Sequence, residues 1–180
     1  MLQATHPMTA TTSSFTGTIL DQVRYNCWAN TTLVNFLRTK SPELLEKNVA
    51  SSYPSIKATL LHMWDCQDWW MANMRNEQPG FSWTEGYNGT LDDILTGIVE
   101  NSNALVNYVE NLAPSQLTDT CLVAIPFTGD FLIPRSEMMQ QVVMHSTYHR
   151  GQAVTIGRQL GFTDAPNTDL MWYLLLIKNK

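Results

Sequence analysis

Two histidines four residues apart, in His145-Ser146-Thr147-Tyr148-His149-Arg150-Gly151-Gln152, are the residues of this chain best placed to do chemistry. Residues at i and i+4 share one helical face, so both imidazoles can converge on one cation. Only four histidines occur in the 180 residues, and a third, His62, lies in another strongly apolar stretch of helical spacing. Three imidazoles from two facing helices make an open metal site, with a position left for water or substrate. Asp65 and Cys66 follow His62 at i+3 and i+4, so either could be a fourth ligand or a partner that orients a ligand ring. A coordinating Cys66 would close the tetrahedron into a structural zinc site; three histidines plus water is the favoured arrangement.

Other metal chemistries fit less well. No Glu stands three residues before a histidine, so the Glu-x-x-His pairs of di-iron bundles are missing. Ser, Thr and Tyr fill the gap between His145 and His149, so the His-Glu-x-x-His metalloprotease motif lacks its general base. A two-His, one-carboxylate iron site would need Asp65 to replace an imidazole.

The histidines need helices to carry them, and the apolar spacing supplies them. Ile19, Val23, Cys27/Trp28, Leu33/Val34 and Leu37 predict a first helix over about 15–39. Ser41-Pro42-Glu43 reads as the start of a turn or two of helix. Tyr53-Pro54-Ser55 opens a long second helix to about Asn76, with Ile56, Leu60, Met63, Gln67, Trp70/Met71 and Met74 as its core stripe and His62 beside it. Residues 77–90 read as a loop with aromatic anchors Phe81, Trp83 and Tyr87. Thr90-Leu91-Asp92-Asp93 predicts a capped third helix that Pro114 stops. Cys121–Ile125 and Phe131–Ile133 flank Thr128-Gly129-Asp130 as a small hairpin. Pro134 launches a fourth helix to about Leu160, closed by Gly161, with both histidines on its inward stripe of Met138, Val142, Ala153, Ile156 and Leu160. The expectation is an all-α four-helix bundle with a hairpin-like insertion before the last long helix, one domain over 14–180 behind a disordered lead-in of residues 1–13.

Composition narrows the function classes. A formal charge of −5 lacks the basic surface that phosphate binding needs, so nucleic acid is disfavoured. Three cysteines without a CxxC pair suit a reducing cytoplasm rather than a disulfide scaffold. No basic residue precedes the weakly apolar start, so no secretory signal is expected, and no apolar run approaches the ~18 residues of a membrane span. The apolar stretch Leu170–Ile177 reads as a packing segment.

The blocks that carry these features resemble the DinB/YfiT-like family. Tyr25-Asn26-x-Trp28-Ala29-Asn30 is similar to its first-helix pattern, and Tyr53-Pro54-Ser55-Ile56 running into Thr59-Leu60-Leu61-His62 and Trp69 to its second. His145-x-x-x-His149-Arg150-Gly151-Gln152, with Leu160-Gly161 and Pro166-x-x-Asp169, is similar to its fourth. The resemblance spans residues 20 to 170 and implies a bundle of unusual connection order, homodimers, and a divalent metal, zinc or nickel, on His62, His145 and His149. It also implies thiol-dependent S-transfer or isomerisation with a low-molecular-weight thiol such as mycothiol or bacillithiol.

The resulting expectation is a metal-dependent thiol S-transferase or hydrolase acting on a small electrophile, with no catalytic side chain assigned. The alternative is a non-catalytic dimeric bundle, with a structural metal or none, that binds a partner or small molecule. Among neighbouring residues, Gln152 is expected to orient a ligand ring and Arg150 to pair structurally or at a dimer contact. Gly151 is expected to permit close helix approach, Tyr148 to act as an acid or pack outward, and Trp28, Trp64, Trp69 and Trp70 to be core. The cysteines read as packed thiols.

Overall fold

The computed structural model describes residues 14–77, 79–80 and 86–178. The expected lead-in and the anchors Phe81 and Trp83 therefore lie outside the described residues. Four long helices dominate: α1 (Phe15–Leu37), α3 (Ile56–Met74), α4 (Leu91–Glu110) and α5 (Arg135–Gln159). A short α2 (Pro42–Glu46) follows the first of them, and α6 (Leu170–Trp172) runs into a π-turn over Tyr173–Ile177. Between α4 and α5, a 3₁₀ turn (Pro114–Leu117) leads into an antiparallel hairpin of β1 (Thr120–Ile125) and β2 (Gly129–Pro134).

Local chemistry sets the boundaries. The Ser14 and Ser55 hydroxyls accept from the backbone of Gly17 and Ala58, satisfying N–H groups that a helix start leaves orphaned. Thr90 and Asp93 form a reciprocal capping box at α4. Gly161, with φ +92°, takes the left-handed position after α5, while Phe162 N–H donates to Gly157 O at 2.8 Å and Gly161 N–H to Arg158 O at 3.1 Å. That pair of bonds is a Schellman stop.

Two apolar clusters show how the helices run. One contains Ile19 and Val23 of α1, Met71 and Met74 of α3, Leu105 and Val109 of α4, and Met138 and Val142 of α5. The other contains Leu33 and Leu37, Ile56 and Leu60, Ile94 and Ile98, and Ala153 and Ile156 of the same four helices. From one end to the other, α1 and α5 therefore run one way and α3 and α4 the other. Helix α1 packs on α4 and α5, and α3 packs on the same two. The chain thus goes up, down, down, up, with a long crossover between α3 and α4 where an ordinary bundle has a short turn.

A polar belt separates the clusters. Asn26, Asn30, Gln67, Ser102 and Arg150 are buried at mid-bundle, and Asn26 Nδ2 donates to Gln67 Oε1 (3.1 Å) while Asn30 Nδ2 donates to Ser102 Oγ (3.0 Å). Arg150 completes it, one amino group donating to Asn26 Oδ1 (2.7 Å) and Asn30 Oδ1 (2.8 Å), the other to Tyr25 Oη (3.2 Å) and Thr147 Oγ1 (2.7 Å). Arg150 is a structural cation, with a residue exposure of 2%. Burial pulls it below the ordinary arginine value, and Tyr25 opposes that fall.

Two expectations need correction. Space around Gly151 is open, so this glycine does not admit a close helix; Gly97 does, because a Cβ there would lie 2.5 Å from the Trp64 indole. The segment Leu170–Ile177 packs only in part. Tyr173 is buried against Trp28 and Tyr25, at ring separations of 5.4 and 5.9 Å, whereas Met171, Trp172, Leu175 and Leu176 face outward. A helical turn has one face toward the bundle, and eight consecutive residues cannot all use it.

Candidate metal centre

Helix α3 presents His62 toward α5, which presents His145 and His149 one turn apart. The adjacency of α3 and α5 follows from the crossover connection, so topology as well as spacing brings the three rings together. His145 Nε2 lies 3.1 Å from His62 Nε2 and 3.1 Å from His149 Nε2, and one nitrogen from each ring falls within 4.8 Å of the others. Zinc–nitrogen bonds of about 2.0–2.1 Å at tetrahedral angles put ligand nitrogens roughly 3.3 Å apart. The observed spacing fits a single ion.

Protonation supports the same conclusion. His149 Nδ1 lies 2.8 Å from Gln152 Oε1, an acceptor, so Nδ1 is assigned the proton and Nε2 turns its lone pair to the shared focus. Gln152 Nε2 donates in turn to Ser51 Oγ at 3.0 Å, which fixes the amide. The Tyr53 ring stacks on His62 (4.5 Å) and meets His149 edge-on (5.5 Å), holding both planes. Burial lowers the His145 value to about 4, with His149 and His62 adding to the fall. Burial, then His149, also lowers His62. Neutral imidazoles with converging lone pairs are what a divalent cation requires.

Cys66 and Asp65 stand outside the three-nitrogen set. Cys66 Sγ is 3.6 Å from both ring nitrogens of His62, a contact with the ring rather than a bond along one lone pair. Burial, then the negative charge of Asp65, pushes its thiol up to about 12, so it stays protonated. Tyr148 faces outward, its ring 4.9 Å edge-on to His149. The fourth histidine, His6, lies outside the described residues.

Beside His62 a chamber of about 600 Å³ opens, walled by Tyr53, Leu61, Trp69, Trp70 and, from the hairpin, Ile125. Trp69 and Trp70 are half-buried, packed on the core as expected on one side and walling this cavity on the other.

The profile of the DinB family matches residues 8–177. The chain belongs to the DinB family. Among its relatives, Protein DinB of Bacillus subtilis (strain 168) is 28% identical over 174 residues, covering 87% of this chain and 93% of that one. Among solved structures, a DinB-like protein from Bacillus cereus ATCC 10987 superposes with a TM-score of 0.67 at 18% identity, covering 86% of this chain and 97% of the other. That likeness shows the fold: the all-α DinB bundle with its hairpin insertion.

Reading the DinB chain alone missed Tyr53 and Ser51 as supports of the site, and missed that Asn26 and Asn30 join Gln67 of the expected core stripe in a buried polar belt. The signal was present for Gln152 at i+3 from His149, but Ser51 and Tyr53 come from a connection whose path the spacing does not encode.

Proposed function

We propose that this DinB-family protein holds a divalent ion, zinc or nickel, on His62, His145 and His149, and directs a thiol or water at a small electrophile as an S-transferase or hydrolase. The supporting observation is the convergence of three imidazoles, with His145 Nε2 3.1 Å from each of the other two Nε2 atoms and one nitrogen of each ring within 4.8 Å of the others, and no fourth protein ligand in that group among the described residues. A cation bound there lowers the pKa of a coordinated thiol or water, supplying a nucleophile at neutral pH. The chain's own residues orient and shield. Gln152 keeps the His149 lone pair inward, Tyr53 fixes the His62 ring, and the apolar walls of the chamber hold water away from the reacting partner. Three neutral ligands leave the site's charge near that of the ion, which favours an anionic thiolate.

The test is elemental analysis of protein purified without chelator, followed by zinc and nickel titration and a panel of thiols and electrophiles. One equivalent of metal, lost in His149→Ala together with thiol transfer, supports the proposal; failed reconstitution overturns it. A reducing cytoplasm suits the thiol chemistry and the three unpaired cysteines, and among the described residues no helix is long and apolar enough to cross a membrane.

A second reading has one observation in its favour. The outward Met171, Trp172, Leu175 and Leu176 form an apolar strip suited to pairing of two copies, as in a dimeric bundle whose metal is structural. Loss of thermal stability on chelation, with no thiol transfer under any condition, favours that alternative.

A further inference from the structure

The chamber beside His62 is an asymmetric berth. Its walls are mainly aromatic and aliphatic, and Trp69 and Trp70 meet edge-to-face at 4.8 Å, so they present flat surfaces in different planes. Among its described lining residues Asp65 is the single carboxylate, and no lysine or arginine joins it. Ordinary ligand pockets span about 300–1,000 Å³, and 600 Å³ accommodates a body of two fused rings with space to spare.

We infer that this chamber binds the electrophile, and that the electrophile's body is an uncharged, planar aromatic group rather than a polyanion or a sugar. The inference rests on the metal reading for its chemistry and on the chamber alone for its selectivity. A sugar-based thiol needs many hydrogen-bonding partners, which these walls do not offer, so such a thiol would reach the metal from outside the chamber. An anionic group placed inside would bring a second negative charge into an apolar space that Asp65 lines, where like charges repel more strongly than in water. The ring faces of Tyr53, Trp69 and Trp70 instead match the offset and edge-on contacts that aromatic ligands favour.

The experiment uses the full chain, first metal-free and then zinc-loaded, with two matched probes, 2-naphthylmethanol and 2-naphthalenesulfonate. Quenching of tryptophan fluorescence is the readout. In metal-free protein the alcohol is expected to bind saturably with a dissociation constant below about 1 mM and the sulfonate at least tenfold more weakly. Two variants narrow the chamber from separate elements: Ala58→Trp on α3 and Pro126→Trp at the hairpin tip. Each is expected to weaken the alcohol at least tenfold while binding zinc as the unaltered protein does. Circular dichroism identifies a variant that has lost its fold, and the comparison of the two probes tests the inference without any variant. Equal binding of sulfonate and alcohol, no binding of the alcohol, or unchanged binding in folded variants overturns the inference. If the alcohol binds and zinc does not, the metal reading falls and the chamber's selectivity stands; the reverse result removes only the chamber.

Discussion

Replacing Arg150 by methionine tests whether the mid-bundle polar belt contributes to stability. The guanidinium donates four hydrogen bonds, two of them to side-chain oxygens of Asn26 and Asn30, which are almost wholly shut off from solvent. Methionine leaves those oxygens without donors, at about 1–3 kcal/mol each, or about 2–6 kcal/mol together. The other two acceptors lose less. Tyr25 still donates to Thr168 O at 2.9 Å, and Thr147 still donates to Val143 O at 2.8 Å. Methionine also removes the desolvation cost of a cation with no carboxylate bonded to it, returning about 1–2 kcal/mol. The net loss is about 1–4 kcal/mol, a fall of roughly 2–16 °C in melting temperature for a chain of this length. Thermal unfolding followed by circular dichroism reads it. Arg150→Lys keeps a charge but not the planar fork that spans two asparagines, so it should fall between the two. A methionine variant that melts within 2 °C of the parent, or above it, would refute this account of the belt.

Three further outcomes rest on the residues around the site and the core. Gln152→Ala removes the acceptor that sets the His149 tautomer and should weaken zinc about 10–100-fold in a calorimetric titration while leaving the metal-free melting temperature nearly unchanged. Gly97→Ala adds a Cβ 2.5 Å from the half-buried Trp64 indole; the gain in helix propensity offsets part of the clash, leaving a net loss of about 1–2 kcal/mol by urea denaturation, and a stabilised variant would contradict it. In chelator-treated protein, His145 with a value near 4 binds fewer protons folded than unfolded between about pH 6.5 and pH 4. Stability should therefore fall as pH drops through that window, and His145→Gln should show a shallower fall in melting temperature over the same range.

Much of this bundle was legible because its signals are local. Ser55, Thr90 with Asp93, and Gly161 mark helix ends through bonds to residues two to four positions away, and the structure keeps all of them. The i, i+4 spacing of His145 and His149 fixes a shared face whatever the tertiary arrangement. The pairing of His62 with them is a long-range fact, supplied by resemblance rather than by period. The belt was illegible for a different reason. Asn26, Asn30 and Gln67 occupy stripe positions where an apolar residue is the ordinary occupant, and only the arrival of Arg150 from α5 makes their burial affordable. Gly151 was misread because a glycine in a helix implies close approach only if a neighbour is there, and the open face of α5 has none.

The belt and the metal centre occupy one level of the bundle but face opposite ways from α5. Residues 149 and 150 are about 100° apart around the helix, so His149 turns to α3 while Arg150 turns to α1. Helix α5 is thereby fixed on two sides at one height: by three hydrogen bonds from Arg150 to Tyr25, Asn26 and Asn30 of α1, and by the Gln152–Ser51 link and the Tyr53 ring around His149. That restraint on α5, with Tyr53 stacked on His62, holds the three rings toward one focus. The crossover topology makes the arrangement possible. It sets α3 and α5 side by side to supply the ligands and leaves α1 and α4 to meet Gln67 and Arg150 in the polar belt, so the site depends on the connection order as much as on the three histidines.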